Sequence, residues 1–323
     1  MDETPKSYSH ALTKEQAERL KVIMTERGFE FREVPYALFA GRLGKLQVTI
    51  YEKGPKVLVQ GKETADFVRF TLEPEVIGAA ELGYEDVHHP DHFEPHIGVD
   101  ESGKGDFFGP LVIAGVYLDQ ETSRAAIAAG AKDSKSIGSD AKIQKIANSI
   151  KCIPRMRSIV IKITPEKYND LYLKFKNLNR LLAWAHARVI EDLLEQVPDC
   201  PRALSDQFAN PAVLQKALME KGRAITLEQR TKAESDPAVA AASILARAAY
   251  VDWMDRASQR LGVVLPKGAG PMVPVRATEL VAARGGDFLK LVAKTHFRTA
   301  HIVAPDFFSA PPEKVISFWK RKD

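Results

Sequence analysis

Cysteine is nearly absent from this sequence: Cys152 and Cys200 are the only two in 323 residues, and they form no CxxC pair. That excludes a disulfide framework and a cysteine-built zinc site, and it fits a reducing compartment. Cys152 reads as a buried small apolar residue and Cys200, beside Pro201 in a turn, as partly exposed. No apolar run approaches the length of a membrane span. The amino terminus, Met1-Asp2-Glu3-Thr4-Pro5-Lys6, has acidic residues and no following apolar stretch, unlike a secretory signal or transit peptide, so a cytoplasmic location is expected. Internal repeats and low-complexity tracts are also missing.

What is present is a globular composition, 45% hydrophobic and 27% charged, in a chain long enough for two domains with separate cores. A disulfide-stapled mini-protein and wholesale disorder are thereby excluded. The net charge of +4 permits an anionic partner without requiring one. Its distribution says more. Between Tyr36 and Lys62 the basic residues Arg42, Lys45, Lys53, Lys56 and Lys62 stand against a single acidic one, Glu52.

From residue 13 to 27, Ala17, Leu20, Ile23 and Met24 recur at helical spacing, Thr13 with Gln16 can form a capping box, and Gly28 ends the helix. Strands are expected over 30–34, 38–40, 46–51 and 57–60, followed by a helix over 62–72, which together make a small α+β module. A histidine-rich, proline-punctuated stretch follows, so the sequence divides into residues 1–82, a linker 83–95 and a second domain 96–323. His88, His92 and His96, with His89, would suit zinc on one helical face, but Pro90 and Pro95 oppose a helix there. Beyond 96, strands over 97–100, 111–118, 158–163 and 202–205 alternate with helices over 141–150, 166–174, 179–194 and 237–261. That pattern predicts an α/β sheet with helices on its faces.

The most informative stretch is Ile97-Gly98-Val99-Asp100-Glu101-Ser102-Gly103-Lys104-Gly105-Asp106-Phe107-Phe108-Gly109-Pro110. Adjacent strand residues point to opposite faces, so Asp100 and Glu101 converge only if the strand ends or bends. Two hard-oxygen carboxylates beside a glycine turn suit magnesium-assisted phosphate chemistry, although in isolation they equally describe a solvated surface turn. The spacing Gly103-x-Gly105-x-x-x-Gly109 is wrong for a dinucleotide fingerprint, and no Walker lysine pattern follows.

Residues 97–112 resemble the opening of the type 2 ribonucleases H, and the Gly-Lys-Gly version, with an N-terminal extension, is similar to that of the ribonuclease HIII branch. Lys132-Asp133-Ser134-Lys135, Asn177-Leu178-Asn179, Ser205-Asp206-Gln207-Phe208, Thr231-Lys232-Ala233-Glu234-Ser235, Ala241-Ala242-Ser243-Ile244-Leu245-Ala246-Arg247 and Thr295-His296-Phe297 follow in family order. The resemblance implies an RNase H-like three-layer α/β/α catalytic domain behind a small α+β, TATA-binding-protein-like substrate domain. It implies endonucleolytic cleavage of the RNA strand of RNA/DNA hybrids to 5′-phosphate and 3′-hydroxyl ends by a monomer with no obligate protein partner and no membrane association. Two divalent ions, Mg2+ or Mn2+, would be held by Asp100, Glu101, Asp206 and Glu234, with Asp100 bridging both, Glu101 and Asp206 on one and Glu234 on the other. Paired ions roughly 3.5–4 Å apart suit in-line displacement at phosphorus.

For the fourth position Asp236 competes with Glu234, but Pro237 is suited to the first helical position, which makes Asp236 the N-cap. By the same resemblance, Ser102, Gly103, Lys104 and Gly105 would read the ribose 2′-hydroxyl through backbone groups, with Lys104 near a phosphate or simply solvated. In the first domain Arg42, Lys45, Val48 and Tyr51, with Phe39, form either a cationic and aromatic face for the hybrid or a core with a solvated edge. His186 reads as a packing or surface residue, His296 as structural support and Lys320-Arg321-Lys322 as a solubilising tail. The rival readings are a ribonuclease HII-type enzyme cutting at single ribonucleotides in DNA and a non-catalytic nucleic-acid-binding protein. Against the first, no tyrosine near these motifs is placed to read a junction.

Overall fold

The computed structural model describes residues 7–78, 90–131, 134, 137–231 and 233–308. His88, His89, Lys132, Asp133, Lys135, Lys232 and the 320–322 basic tail lie outside them. The chain divides into two compact units, Met1–Asp91 and His92–Asp323.

In the first unit β1 (Ser7–Ala11), α1 (Lys14–Glu26), β2 (Glu30–Arg32), β3 (Ala37–Leu43), β4 (Leu46–Tyr51) and β5 (Lys56–Gln60) follow in order. The strands form an antiparallel sheet ordered β1-β5-β4-β3-β2. Thr13 and Gln16 close the capping box on α1. Alternation along β4 sends Leu46, Val48 and Ile50 to the side where Leu20 and Met24 of α1 pack with Val57, Val59 and Leu72. The helix expected over 62–72 is instead one α-helical turn, Thr64–Phe67, that widens into a π-helix, Val68–Ile77. Pro74 lies inside it and has no N–H to give, and the wider coil closes on Gly78, whose N–H donates to Glu73 O at 2.7 Å, five residues back.

The second unit begins within the stretch expected as linker: Pro90–Phe93 is a 3₁₀ turn, Phe93 is buried and His96 is fully enclosed. Its elements are β6 (His96–Ser102), β7 (Leu111–Leu118), α2 (Gln120–Ala128), α3 (Asp140–Lys151), β8 (Arg157–Ile163), α4 (Pro165–Phe175), α5 (Leu178–Gln196), β9 (Arg202–Asp206), α6 (Pro211–Ala217), β10 (Thr226–Arg230), α7 (Pro237–Leu261), α8 (Met272–Arg284) and α9 (Arg298–Val303). The sheet order is β10-β9-β6-β7-β8, with β10, β9 and β6 parallel and β7 antiparallel to both β6 and β8.

Three layers result. Val112, Ala114, Val116 and Leu118 pack toward α7 and α3, while Ile97, Val99, Leu111 and Ile113 pack toward α5. Helix α7 crosses β6 so closely that a Cβ on Gly98 would stand 2.2 Å from Val239 N, so only glycine permits the approach. Asp236 caps α7 through Oδ1, which accepts from Ala238 N at 2.9 Å and Val239 N at 3.1 Å. The cysteine expectations are reversed. Cys152 sits exposed past the end of α3, off its Ile143, Ile146, Ala147 and Ile150 stripe, while Cys200 is buried with its Sγ 3.3 Å from Arg202 O. No helix among the described residues is long and apolar enough to cross a membrane.

Candidate active site

Parallel strands β6 and β9 pair with Val99 opposite Ser205, so the residues that follow, Asp100 within β6 and Asp206 at the end of β9, come side by side on neighbouring strands. Strand β6 neither ends nor bends at its acidic pair but continues through Ser102. Asp100 and Glu101 therefore point into different layers, as alternation requires. Asp100 faces Ser243 of α7, which draws its carboxyl downward, and Glu101 Oε2 lies 3.0 Å from His186 Nε2 of α5. Both still line one cleft of about 360 Å³ at the sheet edge, shared with Ser102, Gly103, Lys104, Gly105, Asp206 and Arg247.

The two carboxyls are tuned in opposite directions. Burial, and then the neighbouring Glu101 charge, push Asp100 up to about 7, against the pull of Ser243 and the Glu101 N–H, which reaches Asp100 Oδ1 at 2.8 Å. Burial would raise Glu101 too, but His186 and Lys104 outweigh it and hold that carboxyl below its ordinary value. Lys104 Nζ is 3.3 Å from Glu101 Oε1 and 5.5 Å from the centre of the Phe208 ring, so it is turned inward rather than left in solvent.

His186, expected as a packing or surface residue, is a fully buried partner of Glu101. Its Nδ1 meets Ser205 Oγ at 3.0 Å and its ring lies tilted against Phe208, 4.8 Å between centres. The available signal was a lone polar residue on the Leu182, Ala185, Val189 face of an otherwise apolar helix stripe. Ser134 was also missed as a site residue. Its Oγ lies 2.8 Å from Ser243 Oγ, its carbonyl accepts from Arg247, and Ser134 itself lines the cleft.

Asp206 Oδ1 accepts from Ala233 N at 3.3 Å, which ties the 3₁₀ turn Ala233–Ser235 to the end of β9. Glu234 rides on that turn but is not among the residues lining the cleft. Asp236 is committed elsewhere, to the α7 cap and to His96 Nε2 at 2.9 Å.

A family profile described as Ribonuclease HII matches residues 97–300. The chain belongs to the ribonuclease HII family. It is 42% identical over 283 residues to a protein of Protochlamydia amoebophila (strain UWE25) named Ribonuclease HIII, covering 88% of this chain and 92% of the relative. With the Ribonuclease HIII of Chlamydia felis (strain Fe/C-56) it shares 43% over 282 residues, 87% of this chain and 91% of the relative. Among solved structures, Bst-RNase HIII in complex with Mn2+ superposes with a TM-score of 0.63 at 28% identity, over 93% of this chain and 99% of that one.

Among the described residues no group of three His, Cys, Asp or Glu side chains is gathered closely enough to hold a metal ion. Glu101 is engaged by His186 and Lys104, and Asp206 by the Ala233 amide. The donor set is right in kind for a hard cation, with the carboxylates of Asp100, Glu101, Asp106 and Asp206 on one cleft and Asp100 raised by burial and the Glu101 charge.

A tyrosine does stand beside the glycine turn. Tyr250 is buried, 3.0 Å from where a Gly103 Cβ would be, and its hydroxyl lies 3.4 Å from Phe108 O, so it supports the turn from below. In the first unit, strand register puts Arg42, paired with Gln47, and Tyr51, paired with Lys56, on the sheet face opposite the core. Lys45 occupies the β3–β4 turn. Val48 belongs to the core and Phe39 packs against it beneath Lys21, so neither joins that face.

Proposed function

We propose that the chain is an endoribonuclease that hydrolyses the RNA strand of RNA/DNA hybrids to 5′-phosphate and 3′-hydroxyl ends, using two divalent ions, Mg2+ or Mn2+. The observation that carries this reading is the convergence of Asp100, Glu101 and Asp206 on one cleft, with Asp100 raised to about 7 by burial and by the neighbouring Glu101 charge. These three would hold the ions, and Glu234 would complete the set by a shift of the Ala233–Ser235 turn, which already hangs on Asp206. When bound, such ions supply Lewis-acid activation of water and neutralise charge on the leaving oxygen.

The remaining work falls to the chain itself. His186 holds Glu101 in one orientation, and Lys104, beside that carboxylate, would meet a substrate phosphate. Ser102, Gly103, Lys104 and Gly105 present backbone groups to the ribose 2′-hydroxyl, by which RNA differs from DNA. In the first unit Arg42 and Lys45 meet phosphates and Tyr51 stacks on the duplex, giving salt-sensitive affinity. We place the enzyme in the cytoplasm as a monomer.

The test is cleavage of a labelled RNA/DNA hybrid with Mg2+, Mn2+ or chelator, beside single-stranded RNA, duplex DNA and a DNA duplex with one embedded ribonucleotide. Metal-dependent cutting confined to the hybrid is expected. Efficient cutting at the single ribonucleotide would transfer the chain to the HII type, and absence of cleavage under all conditions would leave it a binding protein.

A further inference from the structure

Lys294 is fully buried, yet among the described residues its ammonium pairs with no carboxylate: Nζ donates to Asp106 O at 2.8 Å and to Gly109 O at 2.7 Å, and stands 5.8 Å from the centre of the Tyr168 ring. Its own N–H donates to Phe107 O at 2.9 Å, so this one residue takes three carbonyls of the turn that follows the acidic pair. The turn hinges at Gly103 and Gly109, with φ of +87° and +86°. Outside it, Asn169 braces the lysine's neighbours, giving Nδ2 to Ala293 O at 2.9 Å and receiving Thr295 N at 2.9 Å.

An enclosed ammonium is expensive to keep, and burial lowers this one to about 7. A methionine would fill the same space without that cost. What only the lysine supplies is a pair of charged donors for carbonyls that face the interior.

We propose that Lys294 is a positioning residue: by holding Asp106 O and Gly109 O it sets the shape of the 103–109 turn, and with it the presentation of Ser102-Gly103-Lys104-Gly105 to the ribose of the substrate. The inference rests on the reading that this turn meets the RNA strand. It adds a determinant that lies outside the cleft.

The experiment compares full-length wild type, Lys294→Met and Lys294→Gln by steady-state cleavage of an RNA/DNA hybrid with Mg2+, by hydrogen exchange and by thermal melting. For Lys294→Met, kcat is expected to fall about tenfold or more with KM within about threefold, because the reacting geometry rather than duplex affinity is lost. Exchange should quicken at Phe107 and Gly109, whose amides are held by Gly268 O and Val292 O, while α5 and α7 keep wild-type protection. Lys294→Gln, retaining an uncharged amide NH2 as donor, should recover part of both, and it serves alone where the methionine variant does not fold. Wild-type kcat in the variants, or lost kcat with wild-type exchange across 103–109, overturns the proposal. If the wild type itself cleaves no hybrid, the functional reading fails, and the exchange arm still shows whether the lysine shapes the turn.

Discussion

His186 Nε2 lies 3.0 Å from Glu101 Oε2 although 85 positions separate them, and the opposite ring nitrogen is occupied by Ser205. A carboxylate fixed this way is oriented before any ligand arrives. His186→Ala is expected to lower kcat about 10- to 100-fold, the usual effect of removing such a support. Since His186 helps hold Glu101 low, its removal raises that carboxyl, so activity is lost at a higher pH as the solution is acidified. A pH–rate profile of the variant checks the direction, and an unmoved acid limb contradicts it.

Asp100→Asn should abolish cleavage while hybrid binding persists. It should also change stability in a defined sense. Because folding raises this carboxyl from 3.8 to about 7, the stability it contributes is complete below the unfolded value and disappears as pH rises through the folded one. With chelator present the variant should therefore melt above wild type at about pH 8, the gap closing near pH 4. Melts that coincide throughout refute the assignment.

Asp236 and Glu234 stand two residues apart and should separate cleanly. Asp236→Ala removes the α7 cap and strands the buried His96 ring, costing about 2–4 kcal/mol in urea unfolding. Burial would raise Asp236, but the His96 hydrogen bond and charge lower it overall. Its contribution is therefore present above the ordinary carboxylate value and lost as pH falls through the folded one. Glu234→Ala should cost roughly 0.5 kcal/mol or less while cleavage collapses.

Gly103→Ala places a Cβ 2.2 Å from Pro110 O at a φ of +87°. A stability loss of about 1–3 kcal/mol is expected, with reduced cleavage, read by melting and a hybrid assay.

Elements with strong local signals were legible from sequence. The α1 capping box, the 46–51 strand and the Asp236 cap with Pro237 following are all where residue chemistry put them. The strands β1 and β10 were not, because Ser7-Tyr8-Ser9-His10-Ala11 and Thr226-Leu227-Glu228-Gln229-Arg230 lie at sheet edges and carry little apolar alternation. At the site, the acidic residues and glycine turn announced themselves through motif. The partners of those groups did not, since His186, Ser243 and Lys294 acquire meaning only through contacts made across the sheet or the interior.

The bond between His96 and Asp236 joins the first residue of β6 to the cap of α7. From that shared origin Asp100 lies four strand residues away, about 13 Å, and Ser243 seven helical residues away, about 10 Å. The two arms behave as rulers read from one zero mark, and they meet at the cleft that the aspartate and the serine both line. Lengthening either arm by one residue would break that meeting, and in the strand it would also turn the carboxylate toward α5.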